Sequence, residues 1–408
     1  MAAFATEEEV AVAPQPAPAA RTAVLSLRAS AHQVWLASQF ELEDVVAAVD
    51  DVRLVAPVGR ALSPVGAVTH GLANRARRTI GLPRRRPVVQ PDEVADAELF
   101  FAVFAAPHEI GVLPSVRRQV ERSAVKVAYV IELWTPQLPA VRDYLRQLRG
   151  FDHIFLFNRD ATPVVEEITG VPCSYLPTAV DAARFAPAVP APERTIDVTS
   201  YGRRLPVTHE ALRREMAAGR LHYHYDTVRG VFDVSDHVEH RDVLAATLQR
   251  SRYAVVYKNN DEPERVRRTG GEESLTNRYF EVLAAGAVML GSAPDVPDFA
   301  ACFDWPDAVV PIPAPAPGIA EVIAGLDADP QRTAAARLAG ITASLRRHDW
   351  AHRWQEVLAT VGLDPRPALG ARLAQLADRA SAHEAADGPA PGAQASGAAT
   401  STGPVRAG

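Results

Sequence analysis

The chain has 408 residues, 48% of them hydrophobic, with a net charge of −6 and a pI near 6.1. That is enough length for two ordinary domains with full cores, and the acidic balance argues against a dedicated nucleic-acid binder, which is built on clustered positive charge. The two cysteines, Cys173 and Cys302, lie far apart with no CxxC or Cys/His spacing, so neither a disulfide framework nor a zinc site is suggested.

Residues 1–20 are acidic at the front and proline-bearing, which reads as a disordered tail and not as a signal peptide. With no window of about 18 apolar residues to span a bilayer, the expected location is cytoplasmic. A first group of strand-like runs follows: TAVLSL (22–27), DVRLVAP (51–57), AELFFAVFAA (97–106), VKVAYVIEL (125–133) and HIFLFN (153–158), with a short run at CSYLPTAV (173–180). Between the second and third of them lies ANRARRTIGLPRRRP (73–87), carrying Arg75, Arg77, Arg78, Arg84, Arg85 and Arg86. It reads as a solvated basic loop, or as a patch for peripheral docking on anionic lipid at the inner face of a membrane.

The prolines of FAPAVPAPERT (185–195) make a stiff linker to a second group of runs: TIDVTSYG (195–202), LHYHYD (221–226), YAVVYK (253–258), AVMLG (287–291) and AVVPIP (308–313). Strands alternating with helical patterns predict an α/β chain of two doubly wound Rossmann-like domains facing a cleft. The first domain spans 21–185, the linker 186–194 and the second domain 195–345. Helices over 346–380, anchored by Trp350 and Trp354, can cross back onto the first domain, and 381–408 has the composition of a disordered tail.

The most informative stretch is ESLTNRYFEVLAAGAVMLGS (273–292). Leu275, Tyr279, Val282, Leu283 and Gly286 recur at helical spacing, with Asn277 and Glu281 together on the opposite face. Ser274 or Thr276 can cap the start, Gly286 can end the helix, and the apolar 287–290 reads as a buried strand. Polar groups thus gather at a helix N-terminus, where anions bind.

The E-x7-E pair of Glu273 and Glu281 entering AAGAVMLGS resembles the nucleotide-sugar motif of GT-B glycosyltransferases of the group 1 type. LPTAVDAARFAP (176–187) is similar to that family's segment closing the first domain, and NRYFEVLAAGAV is closer still to the spore-coat-type variant. The resemblance covers roughly residues 176–363. It implies a transferase that moves a sugar, with retention, from a nucleotide-diphosphate donor to a glycan, lipid-linked or small-molecule acceptor, without nucleic acid, cofactor or metal. Glu281 would hold the ribose hydroxyls, Glu273 would lie near the sugar, and the backbone from Leu275 through Thr276 and Asn277 would face the diphosphate. Arg203, directly after Gly202, matches the family's phosphate arginine; the lysine of its GRxxxxKG pattern is missing, and Arg204, Lys258 or Arg278 would replace it. Two strand-end residues of the first domain, His108 and Glu132, would touch the sugar or serve as base, Glu132 being the better placed. The rivals are a sugar-nucleotide epimerase or hydrolase on the same fold, and a degenerate member that only binds nucleotide.

Overall fold

The computed structural model describes residues 20–387, apart from 60–62, 80–87, 90–93 and 228–231. Six parallel strands form the first sheet: β1 (Thr22–Leu25), β2 (Val52–Val55), β3 (Ala97–Phe104), β4 (Ser123–Val130), β5 (His153–Leu156) and β6 (Cys173–Tyr175), in the order β2-β1-β3-β4-β5-β6. Five more form the second: β7 (Ile196–Ser200), β8 (Tyr223–Tyr225), β9 (Ser251–Val256), β10 (Val288–Gly291) and β11 (Val310–Pro311), in the order β8-β7-β9-β10-β11, again all parallel.

Both sheets are buried on both faces, which is why their strands read as continuous apolar runs. In β3 the side chains of Phe100, Ala102 and Phe104 enter one core layer and those of Leu99, Phe101 and Val103 the other. In β9 Ala254 and Val256 face one layer while Tyr253 and Val255 face the opposite one. Helices on the two sides complete each doubly wound domain, as the sequence predicts. Gly291 ends β10 against β9, where a Cβ would stand 1.7 Å from the Val256 carbonyl oxygen, so no larger residue fits.

The helices that matter below are α1 (Ala37–Val49), α2 (Pro64–Thr79), α3 (His237–Gln249), α4 (Pro263–Thr269), α5 (Asn277–Ala284), α6 (Pro330–Arg347), α7 (Trp350–Thr360) and α8 (Pro367–Asp387). Trp350 and Trp354 of α7 are each 1% exposed and sit in the first domain's core, with Trp354 edge-on to Phe101 at 5.2 Å and its indole N–H donating to Asp50 Oδ2 at 3.2 Å. Helix α8 runs past Ser381, where the tail-like composition begins, to Asp387. Its Leu369 packs in the first domain's core and its Leu376 and Ala380 in the second's. Of the basic stretch, Arg75, Arg77 and Arg78 fall within α2, which is a helix and not the loop expected, while Ile80, Leu82 and Arg84–Arg86 lie outside the described residues.

Candidate active site

In the second sheet the winding reverses between β7 and β9, and ligands of such sheets sit beyond the carboxyl ends of the strands at that point. The chain leaves β7 through Tyr201 and Gly202. Gly202 is left-handed (φ 68°), a conformation a Cβ disfavours, and its N–H donates to Asp226 Oδ2 at 2.8 Å. Beyond this turn Arg203 and Arg204 line a cavity of about 1200 Å³, together with Tyr201, Asp226 and Arg265, and Val34 and Trp35 of the first domain close it from the other side.

Arg204 is held by Asp226 and lies over the Tyr225 ring at 5.6 Å. Arg203 Nη1 donates to Asn259 Oδ1 at 2.5 Å, and its Nε is 3.7 Å from Glu262. Burial, reinforced by Arg278 and Arg265, pulls the Arg203 guanidinium down to about 9 in spite of Glu262 and Glu132. A cation depressed by burial and like charge gains most from an incoming anion. Arg278 is 8% exposed and donates to the carbonyls of Tyr257 at 3.1 Å and Arg203 at 3.4 Å, so it ties together the loops that follow β7 and β9.

Lys258, directly beyond this end of β9, sits 3.5 Å from Glu273 Oε1, whose other oxygen accepts from the Asp295 N–H at 2.6 Å. Thr276 is the N-cap residue of α5 but makes no capping bond with its side chain. Ser274 Oγ and Thr276 Oγ1 are buried with no hydrogen-bond partner among the described residues. So is Thr135 Oγ1, on a first-domain segment whose N–H reaches Glu272 at 3.0 Å. Asn277 opens the first turn of α5, half-buried. Leu275 has its side chain fully buried in the second domain's core and its carbonyl accepting from Thr178 Oγ1 at 3.3 Å, so its N–H, the group expected to face an anion, is what it can offer.

Glu281 departs most from expectation. The sequence places it on a polar helix face; the structure buries it to 4% exposure, with Oε1 accepting from Arg241 Nη1 at 2.5 Å and Oε2 from the Tyr201 hydroxyl at 2.8 Å. Arg241 of α3 also donates to Glu41 of α1 at 2.7 Å. Burial alone would lower the Arg241 guanidinium, but Glu41 and Glu281 outweigh it and hold it raised. Glu41 further accepts from the Asp181 N–H at 2.8 Å and from the Trp350 indole at 3.1 Å. One buried arginine therefore joins both domains. Glu281 reaches the cavity only through Tyr201, which lines it.

Glu132 does stand at the end of a first-domain strand, but its carboxylate is paired with Arg268 at 2.6 Å and Arg265 at 3.8 Å, both on α4 of the second domain. It spans the cleft as an ion pair, so a sugar-contacting or base role would require that pair to open. His108 is exposed in a 3-10 stretch after β3, and it is not among the cavity's lining residues. Among the described residues no group of three His, Cys, Asp or Glu is placed to hold a metal ion.

Sequence reasoning missed Tyr201, Arg265, Trp35 and Arg241. The first is adjacent to the Gly202-Arg203 signal; the others lie on unremarkable surface-like runs. It also missed Glu43, fully buried at the first sheet's own switch point, where it accepts from Ser26 Oγ, from Arg28 Nη2 at 2.9 Å and from Gln39 Nε2 at 3.4 Å. Burial pushes its carboxyl up to about 7, from an ordinary value of 4.5, despite Arg28. The folded state thus holds this proton more tightly than the unfolded chain, so the group's contribution to stability is full below 4.5 and lost as pH rises through about 7. A shift of that size corresponds to about 3 kcal/mol. Glu43→Gln, which cannot titrate, is expected to gain about that much on the wild type between acid and mildly alkaline pH, read from urea midpoints. Parallel pH curves for the two proteins would show that Glu43 does not carry the shift.

Two doubly wound parallel-sheet domains, the second with a cation-lined cavity beyond β7 and β8, make up the arrangement expected from the sequence resemblance. Residues 193–359, which span the second domain, match the family model described as glycosyl transferase-like. No curated protein matches the chain in sequence. Among solved structures it is similar to Anabaena HepE in complex with UDP-glucose, at 10% identity and a TM-score of 0.45, over 84% of this chain and 99% of that one. It is also similar to an α-glucosyltransferase in complex with UDP and DNA, at 10% identity and 0.49, over 84% and 100%. The glycotransferase of kitacinnamycin is similar at 14% identity and 0.37, over 86% and 100%.

Proposed function

We propose that the protein transfers a sugar from a nucleotide-diphosphate donor, bound in the cavity beyond β7 and β8, to an acceptor admitted between the domains. The observation that carries this reading is the grouping of Arg203, Arg204 and Arg265 on one cavity wall of the domain that matches the transferase family. A leaving diphosphate develops negative charge as the glycosidic bond breaks, and cations fixed in a partly dry site stabilise that charge without reorganising. Ser274 and Thr276 do not line that cavity, but their unpartnered hydroxyls at the start of α5 offer hydrogen bonds and a helix end to a part of the donor that extends past it. Tyr201, oriented by Glu281, is the group nearest to the ribose role that the motif assigns to the carboxylate. The E-x7-E spacing supports retention, and a glycan, a lipid-linked sugar or a small hydroxylated molecule fits as acceptor.

A thermal-shift screen of UDP-, GDP-, ADP- and dTDP-sugars tests the reading. A cognate donor at a hundred times its dissociation constant is expected to add about 2.7 kcal/mol to the folded state. Stabilisation followed by donor consumption only when an acceptor is present supports transfer. Consumption without acceptor would make the protein a hydrolase or epimerase, and stabilisation with no consumption across a broad acceptor panel would make it a binder. Indifference to every nucleotide sugar would remove the donor site.

A further inference from the structure

Helix α2 is amphipathic in the inverted sense. Val65, Val68 and Leu72, at spacing i, i+3 and i+7, form one stripe and are 74%, 62% and 61% exposed. The half-buried positions are Gly66, His70, Asn74 and Arg77 on the other side of the helix, where Asn74 Nδ2 meets His70 Nε2 at 2.9 Å. The helix therefore rests on its polar side and presents its aliphatic side outward, an arrangement that costs free energy in water and is relieved when apolar surroundings cover the stripe. Charge indicates the cover. Helix α2 itself carries Arg75, Arg77 and Arg78 and no Asp or Glu, and the sequence around it, residues 52–91, has five further arginines and no acid in a chain whose net charge is −6. Of those five, Arg53 is bonded to Gln119 and the other four lie outside the described residues. Exposed Arg75 lies two turns after Val68, on the edge of the stripe.

We propose that α2 docks the first domain on an anionic lipid surface, its valines and leucine entering the headgroup boundary and its arginine meeting lipid phosphates. A nucleic acid would satisfy the charge but not the aliphatic stripe, and a neutral protein partner would satisfy the stripe but not the charge. The proposal stands apart from the donor site, and its test needs no turnover.

The test is co-sedimentation of the full chain with vesicles of phosphatidylglycerol and phosphatidylcholine in equal parts, against vesicles of phosphatidylcholine alone. Binding is expected to the anionic vesicles only and to weaken with added salt. Replacing the stripe by Val65→Ser, Val68→Ser and Leu72→Ser is expected to lower partitioning by at least about tenfold, because the buried aliphatic area is lost. Arg75→Gln should lower it about fivefold. These side chains are exposed, so an unchanged thermal midpoint shows that each variant folds. No vesicle binding by the wild type, or equal binding by the stripe variant, overturns the proposal. So does concentration-dependent self-association abolished by the stripe substitutions in the absence of any vesicle binding, which would assign the stripe to a second copy of the chain.

Discussion

Glu281→Ala is expected to lower the free energy of unfolding by about 3–5 kcal/mol, the range for breaking a buried charge pair from one side. Arg241 is 3% exposed and lies between Glu281 and Glu41, and removing one carboxylate leaves a desolvated guanidinium short of one anion. The Tyr201 hydroxyl also loses its acceptor. A carboxylate whose only task was to bind ribose would behave otherwise, with nucleotide affinity falling by about 1–3 kcal/mol and the fold intact. Urea unfolding together with nucleotide titration separates the two. A wild-type unfolding midpoint with lost affinity would return Glu281 to the site itself.

Arg203→Ala is expected to lower kcat by about 10²–10³ with a much smaller change in KM, as for other donors aimed at charge that develops in the transition state. Arg203 suits the role because burial and the neighbouring Arg278 and Arg265 leave it under-stabilised without an anion. Its loss costs one hydrogen bond, to Asn259, and a long ion pair with Glu262, so the fold should persist. Steady-state kinetics with the donor found by the screen decides the matter. Wild-type turnover in Arg203→Ala beside an inactive Arg265→Ala would place the phosphate cation elsewhere in the cavity, and beside an inactive Lys258→Ala would place it outside the cavity's lining.

The parallel sheets were legible because strands buried on both faces need apolar residues at successive positions, as in LFFAVF over 99–104. Gly202 followed by Arg203 was legible for a related reason: a left-handed turn at a strand end requires glycine, whatever surrounds it. The Arg241 network was not. In HVEHRDVLAATLQ the arginine looks like any solvated helix residue, and ASQFELEDVVAAV carries three acids that read as a wetted face although Glu41 and Glu43 are buried. The partners that make such burial tolerable are some 200 residues apart, with |i−j| of 200 between Arg241 and Glu41, and no local period encodes that pairing. Glu132 shows the same limit. Its position at a strand end was readable, but the α4 arginines that occupy its carboxylate belong to the other domain.

The return of α7 to the first domain also sets an order of events during synthesis. The first sheet is complete in sequence once β6 has been made at Tyr175, yet Trp350 and Trp354, which fill its core beside Phe101, come much later in the chain. At about 5–20 residues per second, the first domain waits on the order of ten to thirty seconds for the side chains that finish it. During that interval the apolar side chains that Trp350 and Trp354 cover in the finished fold, Phe101 among them, lack that cover, so helical turns made near the end of synthesis are the ones that close the first core.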